Sequence, residues 1–177
     1  IEENTLRATS VSDDGKFLVY NRFMEESGLD AWIKNMDDET DHGRPLLHSQ
    51  FHEQRPTISP DGQSIAYEMD QGRGTEIYLR KIDGAGYGGP VSSNGGDQPH
   101  WSADGNKLFY QNNRAMWSVD ITQNEGGYES GEAKEVVQIP ERAERFHWDV
   151  DSDGKRFLLS MIGEGGESQT PEGPTTV

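Results

Sequence analysis

Apolar residues in this chain come in short alternating runs rather than in helical stripes. Four of these runs directly follow an Asp-Gly pair: Lys16–Tyr20, Gln63–Tyr67, Asn106–Tyr110 and Lys155–Leu159. The third residue after each glycine is Leu18, Ile65, Leu108 or Phe157, and the fifth is Tyr20, Tyr67, Tyr110 or Leu159. Residues two apart share one face of a strand, so both positions are expected to point the same way into a core. The segments ahead of the glycines align as well. They are Val11–Gly15, Ile58–Gly62, Trp101–Gly105 and Val150–Gly154, with glycines 47, 43 and 49 residues apart. Asp-Gly tolerates the positive φ of a tight hairpin, so each copy predicts two strands joined by a turn.

A third strand repeats in step: Ala31–Asp37, Ile77–Asp83 and Met116–Ile121, each with an aromatic residue four before an aliphatic one. A fourth follows at Pro45–His48, Gly89–Ser92 and Glu135–Ile139. The best helix candidate, Ile139–Phe146, is short and interrupted by Pro140. Four strands recurring every 40–50 residues or so is the period of a propeller blade. The pattern therefore predicts an all-β chain of four-stranded antiparallel blades, with repeats beginning near residues 8, 55, 98 and 147. Residues 1–162 form the blades in this reading. Residues 163–177, rich in Gly, Glu, Ser and Pro, read as a flexible acidic segment holding the start of a closing strand.

The Ser59–Gly62 segment (Ser-Pro-Asp-Gly), its three degenerate copies and the Glu76-Ile77-Tyr78 strand resemble TolB-like, WD-repeat-like β-propellers. The resemblance runs from about Ala8 to Val177. The tail is similar to the last blade of propellers appended to bacterial serine/threonine kinases and regulators: Trp148–Leu158, an acidic gap, then Pro174–Val177. In those relatives the terminal strand continues, and TolB-like propellers usually have six or more blades. The resemblance thus implies about 3.5 to 4 blades of a larger ring, cut within its final strand. It also implies a periplasmic or extracytoplasmic setting. A partial ring exposes blade edges, so self-association through them is expected.

Composition narrows the choice of partner. Of 177 residues, 32 are acidic and 16 basic, a net charge of −16. Nucleic-acid binding needs a basic face to displace phosphate counterions, and an anionic membrane surface needs the same, so both are excluded as partners. No run of eighteen apolar residues exists, so membrane insertion by a helix is not expected. The absence of cysteine rules out thiolate chemistry and disulfides. The chain starts at Ile1 and Ile1–Leu6 holds no apolar leader, which reads as a removed leader or a cut from something longer.

Candidate chemistry is sparse. Asp149, Asp151 and Asp153 alternate before Gly154, the way a calcium loop gathers hard oxygens. An EF-hand would place a bidentate Glu at its twelfth position, which here is Ser160. A polar hairpin turn is therefore preferred, and no cofactor is expected. His48 and His52 are four apart but lie in strand and loop sequence. His100-Trp101 and His147-Trp148 each open a blade, which places them on the central channel or a blade junction as a binding face. The glycine-rich Gly84–Pro90 lacks the Lys-Ser/Thr and following helix of a phosphate loop, and Gln123–Ala133 reads as a long loop. No Gly-x-Ser-x-Gly elbow occurs, and no catalytic residue is assigned.

The sequence thus reads as a non-catalytic propeller module for protein–protein interaction or ligand sensing, its acidic surface favouring a basic partner. An alternative is the gating propeller of a prolyl-oligopeptidase-like serine peptidase whose catalytic domain lies elsewhere. A third, a sugar-active propeller, would need acidic residues converging at the channel mouth.

Overall fold

A computed structural model describes residues 6–84, 89–124, 127–141, 143–151 and 153–161, with only the backbone of 144–147. The segment 163–177 lies outside the described residues, as does the middle of the glycine-rich stretch. Every regular element among the described residues is a strand. The first blade holds β1 (Leu6–Val11), β2 (Phe17–Met24), β3 (Gly28–Asn35) and β4 (Arg44–Pro45), antiparallel in that order. The second holds β5 (Glu53–Ile58), β6 (Ser64–Asp70) and β7 (Thr75–Lys81). The third holds β8 (Asp97–Trp101), β9 (Lys107–Asn112) and β10 (Ala115–Asn124), plus β11 (Gly127–Ser130) and β12 (Lys134–Gln138), which both pair β10. The fourth is the hairpin of β13 (Ala143–Val150) and β14 (Phe157–Met161).

The turns explain why the motif recurs. Gly15, Gly62, Gly105 and Gly154 all have φ between 69 and 74°, while the aspartates before them do not have positive φ. The connection is therefore a longer loop built on a turn, not a two-residue Asp-Gly hairpin. Ser12 N–H donates to Phe17 O at 2.9 Å, and Gly15 N–H donates to Ser12 O at 2.8 Å. The Ser12 hydroxyl donates to Asp14 Oδ1 (2.7 Å) and accepts the Phe17 N–H (2.9 Å). Ser59 and Ser102 repeat this arrangement with Asp61 and Asp104. In the fourth copy Asp151 stands in the serine's place, and its Oδ1 accepts the N–H groups of Lys155 and Arg156.

The weak fourth strands differ from expectation. Only Arg44–Pro45 of the first pairs with β3. Beyond it the N–H groups of Leu46 and Leu47 both donate to Ala31 O, and both leucines are buried in the core. In the second blade the strand shrinks to a Tyr78–Pro90 bridge, flanked by bonds from Leu79 N–H to Gly89 O (3.4 Å) and from Val91 N–H to Ile77 O (2.8 Å). The Gln123–Ala133 stretch is not simply a loop: β10 runs on to Asn124 and β11 returns along it. Ile121 and Tyr128 of this extension pack into the cluster between the second and third blades, which holds it down.

Three apolar layers separate the four sheets. Ile65 and Tyr67 of β6 meet Val19, Ala31 and Ile33 of the first blade, while Ala66 faces the third blade with Ile77 and Leu79. Leu108 and Tyr110 repeat this toward the second blade, and Phe109 turns to the fourth. The third and fifth positions after each glycine thus face the preceding sheet, and the fourth faces the next. Both faces of a middle blade are core, as sheet-on-sheet packing requires. At the two ends the pattern stops short: Val11 is 52% and Leu158 is 58% exposed.

A polar residue, sixth after the glycine, is buried in three blades, and in the first two it ties the blade to the next. Asn21, Glu68 and Gln111 occupy it, at 3%, 2% and 1% exposure. Asn21 Oδ1 accepts the N–H of Arg55 (3.0 Å), and Glu68 Oε1 accepts the N–H of Gln98 (2.6 Å). Arg55 and Gln98 have φ of 46° and 53°, each at a bulge in the first strand of the next blade and each before a proline. Such backbone costs on the order of 1–3 kcal/mol and persists only where its surroundings hold it. The buried acceptor one blade back is what holds it.

Candidate functional site

The first strands of successive blades adjoin, so equivalent positions on them become neighbours. Two residues before each turn serine stand Ser10, Thr57 and His100, and in the fourth blade Asp149 stands two before Asp151. Repeat geometry therefore sets His100 of β8 beside Asp149 of β13, with Nδ1 and Oδ1 3.5 Å apart. The imidazole also lies against the Trp148 ring, centroids 4.2 Å apart and tilted by 43°. Trp148 in turn meets Phe157 at 6.2 Å, anchoring the cluster in the core below. Burial lowers the His100 pKa, partly opposed by Asp149. The ring is thus neutral at neutral pH and offers one donor and one acceptor.

Beside this cluster opens a cavity of about 390 Å³ lined by Trp148, Asp149, Leu158, Leu159 and Ser160. That volume is within the range of small-molecule sites, which typically pair apolar walls with a few polar groups. The Trp148 Nε1–H is buried without a partner among the described residues.

Of the four residues the sequence placed on a binding face, the structure brings His100 and Trp148 together. Trp101 goes elsewhere, packing between the second and third blades with its Nε1–H donated to Thr57 O (3.2 Å). The side chain of His147 lies outside the described residues. Of the three aspartates of the calcium reading, Asp151 and Asp153 share the Lys155 N–H, at 3.0 and 3.1 Å, and each is also paired with a cation, while Asp149 is engaged elsewhere. Asp149 faces His100, Asp151 pairs with Arg156 Nε (2.6 Å), and Asp153 pairs with Lys155 Nζ (3.2 Å). The guanidinium holds the Asp151 carboxyl well below the usual carboxylate range. Among the described residues no three His, Asp or Glu side chains group as a metal ion requires.

Sequence reasoning missed a second polar centre, between the first and second blades. Asp30 and Glu53 are 0% and 2% exposed. Asp30 Oδ2 bonds the Nδ1 of His48, and Glu53 Oε1 accepts the Ser49 hydroxyl (2.5 Å). Asp30 Oδ1 and Glu53 Oε2 are buried without partners among the described residues. Asn21 Nδ2 bridges the two residues' backbone carbonyls, at 3.4 Å to Asp30 and 2.6 Å to Glu53. No local motif announced it, because Asp30 follows a β-turn and Glu53 opens a strand, both ordinary places for acids.

These groups set a pH dependence. Burial raises the pKa of Glu53 and Glu68, and the Asp30 hydrogen bond raises that of His48. A folded pKa above the unfolded one means the fold binds the extra proton, so this stability declines as pH rises through the folded pKa. The turn aspartates Asp14, Asp104 and Asp151 are lowered, so theirs declines only in stronger acid, as pH falls through their folded pKa values. His100, whose pKa burial lowers, acts in the opposite sense in this window. The expectation is therefore for the part set by Glu53, Glu68 and His48: their contribution to the melting temperature is larger at about pH 5.5 than at about pH 8, and declines as pH rises. Glu53→Gln should flatten that decline in calorimetric scans. An unchanged slope would show that Glu53 does not contribute.

No protein-family model and no curated protein matches the sequence. Solved structures do match the fold. TolB from Acinetobacter baumannii superposes with a TM-score of 0.65 at 15% identity, covering 98% of this chain and 40% of its own. TolB from Agrobacterium tumefaciens gives 0.57 at 19% identity, over 76% of this chain and 50% of that one. The β-propeller domain of the trilobed protease from Pyrococcus furiosus gives 0.58 at 14% identity, over 89% and 48%. The chain is a run of β-propeller blades similar in fold to these structures, and it spans half or less of the length of these propeller chains.

Proposed function

We propose that this propeller module is a non-catalytic binding unit that takes a small ligand or a protein segment at the junction of its third and fourth blades. The observation that supports this is the His100–Trp148–Asp149 cluster opening onto a cavity of about 390 Å³. An indole, a carboxylate, a serine and leucine walls give the mixed surface that orients a ligand without reacting with it, with His100 packed behind Trp148 and Asp149. The net charge of −16 favours a basic partner through steering. The extracytoplasmic setting implied by the TolB resemblance belongs to the same proposal.

Titration of the labelled protein with a panel of small acids, amines, aromatics and short peptides, followed by NMR, tests it. Hits are expected to shift the Trp148 indole and the Leu158–Ser160 amides, and Asp149→Ala should weaken them about tenfold, the loss of one good hydrogen bond. Hits that all map elsewhere, or turnover of a panel member by this chain alone, would sink the proposal.

The second reading, a peptidase's gating propeller, is supported by the likeness to the Pyrococcus furiosus protease domain. Reading the source gene through both ends of this segment separates the two. A Gly-x-Ser-x-Gly hydrolase domain would favour the gate. A kinase or DNA-binding region would favour the sensor.

A further inference from the structure

We propose that the outer face of the fourth blade, with the cavity beside Trp148, takes the uncovered face of the first blade of a second copy of this chain. The contact rests on the reading that this cavity receives a partner, and it names the partner.

Inside the chain each sheet packs on the next by one rule. The fourth residue after a turn glycine covers the sheet that follows: Val19, Ala66 and Phe109 do so, and all are buried. The third and fifth residues, with the residue just before the turn Ser or Asp, lie under the sheet that precedes: Ile65, Tyr67 and Ile58 in the second blade. Each role is left open once. Leu158 is the fourth residue of the last copy, stands beside Asp149 in the register of β13 and β14, and is more than half exposed. Val11 is the counterpart of Ile58, stands beside Leu18 in the register of β1 and β2, and is also more than half exposed. Leu6, beside Arg22, extends that face along β1 and is exposed as well.

One end of the chain thus presents a covering face, and the other a face built to be covered. A contact between them continues the three layers that already join the blades, which selects a second copy over an unrelated protein. It is heterologous, because the two faces differ and each copy offers both. Asp149, Leu158, Leu159 and Ser160 line the cavity on the fourth blade, and Leu6 and Val11 are the apolar side chains offered to it.

Charge agrees with this pairing. The register of β2 and β3 sets Lys34 beside Leu18 and Arg22 beside Asp30 on the first-blade face. The Arg22 guanidinium carbon stands 4.6 Å from the centroid of the Trp32 ring. Asp30 is buried on His48, which leaves Arg22 and Lys34 to meet a partner. The carboxylate of Asp149 on the fourth blade is well exposed. A basic patch on a chain of net charge −16 steers toward such an acidic face. Two such chains repel at long range, and about 0.15 M salt screens that repulsion beyond roughly 8 Å.

Sedimentation velocity of the full chain in about 0.15 M salt, from about 1 to 100 µM, tests the contact at the weak end of specific interfaces. The mass is expected to rise to that of a dimer or beyond. In labelled protein the amides of Val11, Leu18 and Leu158–Ser160 should shift together on concentration. Val11→Glu sets a carboxylate against Asp149, and Leu158→Lys sets an amine against Arg22 and Lys34. Each should weaken association about tenfold or more, as an unpaired charge in an apolar contact does. Both positions are exposed, so both variants should melt with the unmutated chain. Neither variant alone should associate, yet an equal mixture should, because the intact fourth-blade face of one meets the intact first-blade face of the other.

Full association of one variant alone would assign a like-to-like contact, and full association of both would assign pairing of strand edges. Either result overturns the head-to-tail contact, as does a mixture no more associated than its components. A monomer throughout, or dilution shifts that miss these amides, overturns it without any variant and leaves the two faces to blades of a longer chain. The two readings fail separately. Small-molecule hits at Trp148 on a chain that stays monomeric remove only the second copy. Association blocked by Leu158→Lys, with every panel hit elsewhere, removes only the small ligand.

Discussion

Glu68→Ala is expected to destabilise the chain by about 2–4 kcal/mol, a melting-point drop on the order of 10 °C for a chain this long. The Glu68 side chain is 3% exposed and serves two blades at once. Its oxygens accept Arg55 Nη1 at 3.0 and 2.7 Å, and Oε1 also accepts the Gln98 N–H at 2.6 Å. Alanine would remove the acceptor of that N–H inside the protein and one of the contacts that hold Gln98 at φ 53°. Arg55, at 43% exposure, can turn to water, which keeps the loss below that of a fully buried pair. Glu68→Gln retains the acceptor and should cost less than half as much. Thermal melts of both variants decide this. A Glu68→Ala protein within about 0.5 kcal/mol of the unmutated chain, the ordinary range for surface changes, would mean that the blades are aligned by apolar packing alone.

The blade period was legible in the chain because it is written in turns and alternation, which are local. Gly15, Gly62, Gly105 and Gly154 mark the same backbone state four times, and the serine three before three of them is visible once its role is known. The fourth position after the glycine was not read as core. Val19, Ala66 and Phe109 are buried because another sheet covers the second face, and alternation within one strand cannot report that. The sixth position escaped for the opposite reason. Asn21 and Glu68 look like solvent-facing polar residues until the neighbouring blade's bulge is placed against them. Asp151 was legible as part of an acidic run, but its use as a turn acceptor follows from alignment with Ser12, Ser59 and Ser102. Of the candidate site, the sequence supplied His100 and Trp148 from their place at the opening of a blade. Their meeting with Asp149 follows from the contact between first strands, a tertiary fact.

Phe109→Ala should be the costliest apolar truncation, about 3–5 kcal/mol, with its loss concentrated in the fourth blade. Phe109 is 2% exposed and meets Phe157 edge to face, centroids 5.6 Å apart at 80°. The fourth blade contributes only β13 and β14 to its sheet among the described residues, and two strands alone are marginal in water. Their stability rests on the face that Phe109, Met116 and Ile139 present to Trp148 and Phe157. Hydrogen exchange should therefore accelerate first at Trp148–Val150 and Phe157–Leu159, with β2 and β6 amides still protected. Gly154→Ala approaches the same contact from the other side. Its Cβ would stand 2.7 Å from Phe109 Cζ, at a φ of +69° that alanine adopts only with strain. The two changes should not add. In the double variant the alanine methyl occupies space the ring has vacated, so its clash is relieved while the roughly 1–2 kcal/mol of left-handed backbone strain remains. A double-mutant cycle should show the pair costing less than the sum by 1 kcal/mol or more. Strict additivity would mean that the fourth blade is not seated on Phe109, and that its docking on the third blade depends on other contacts.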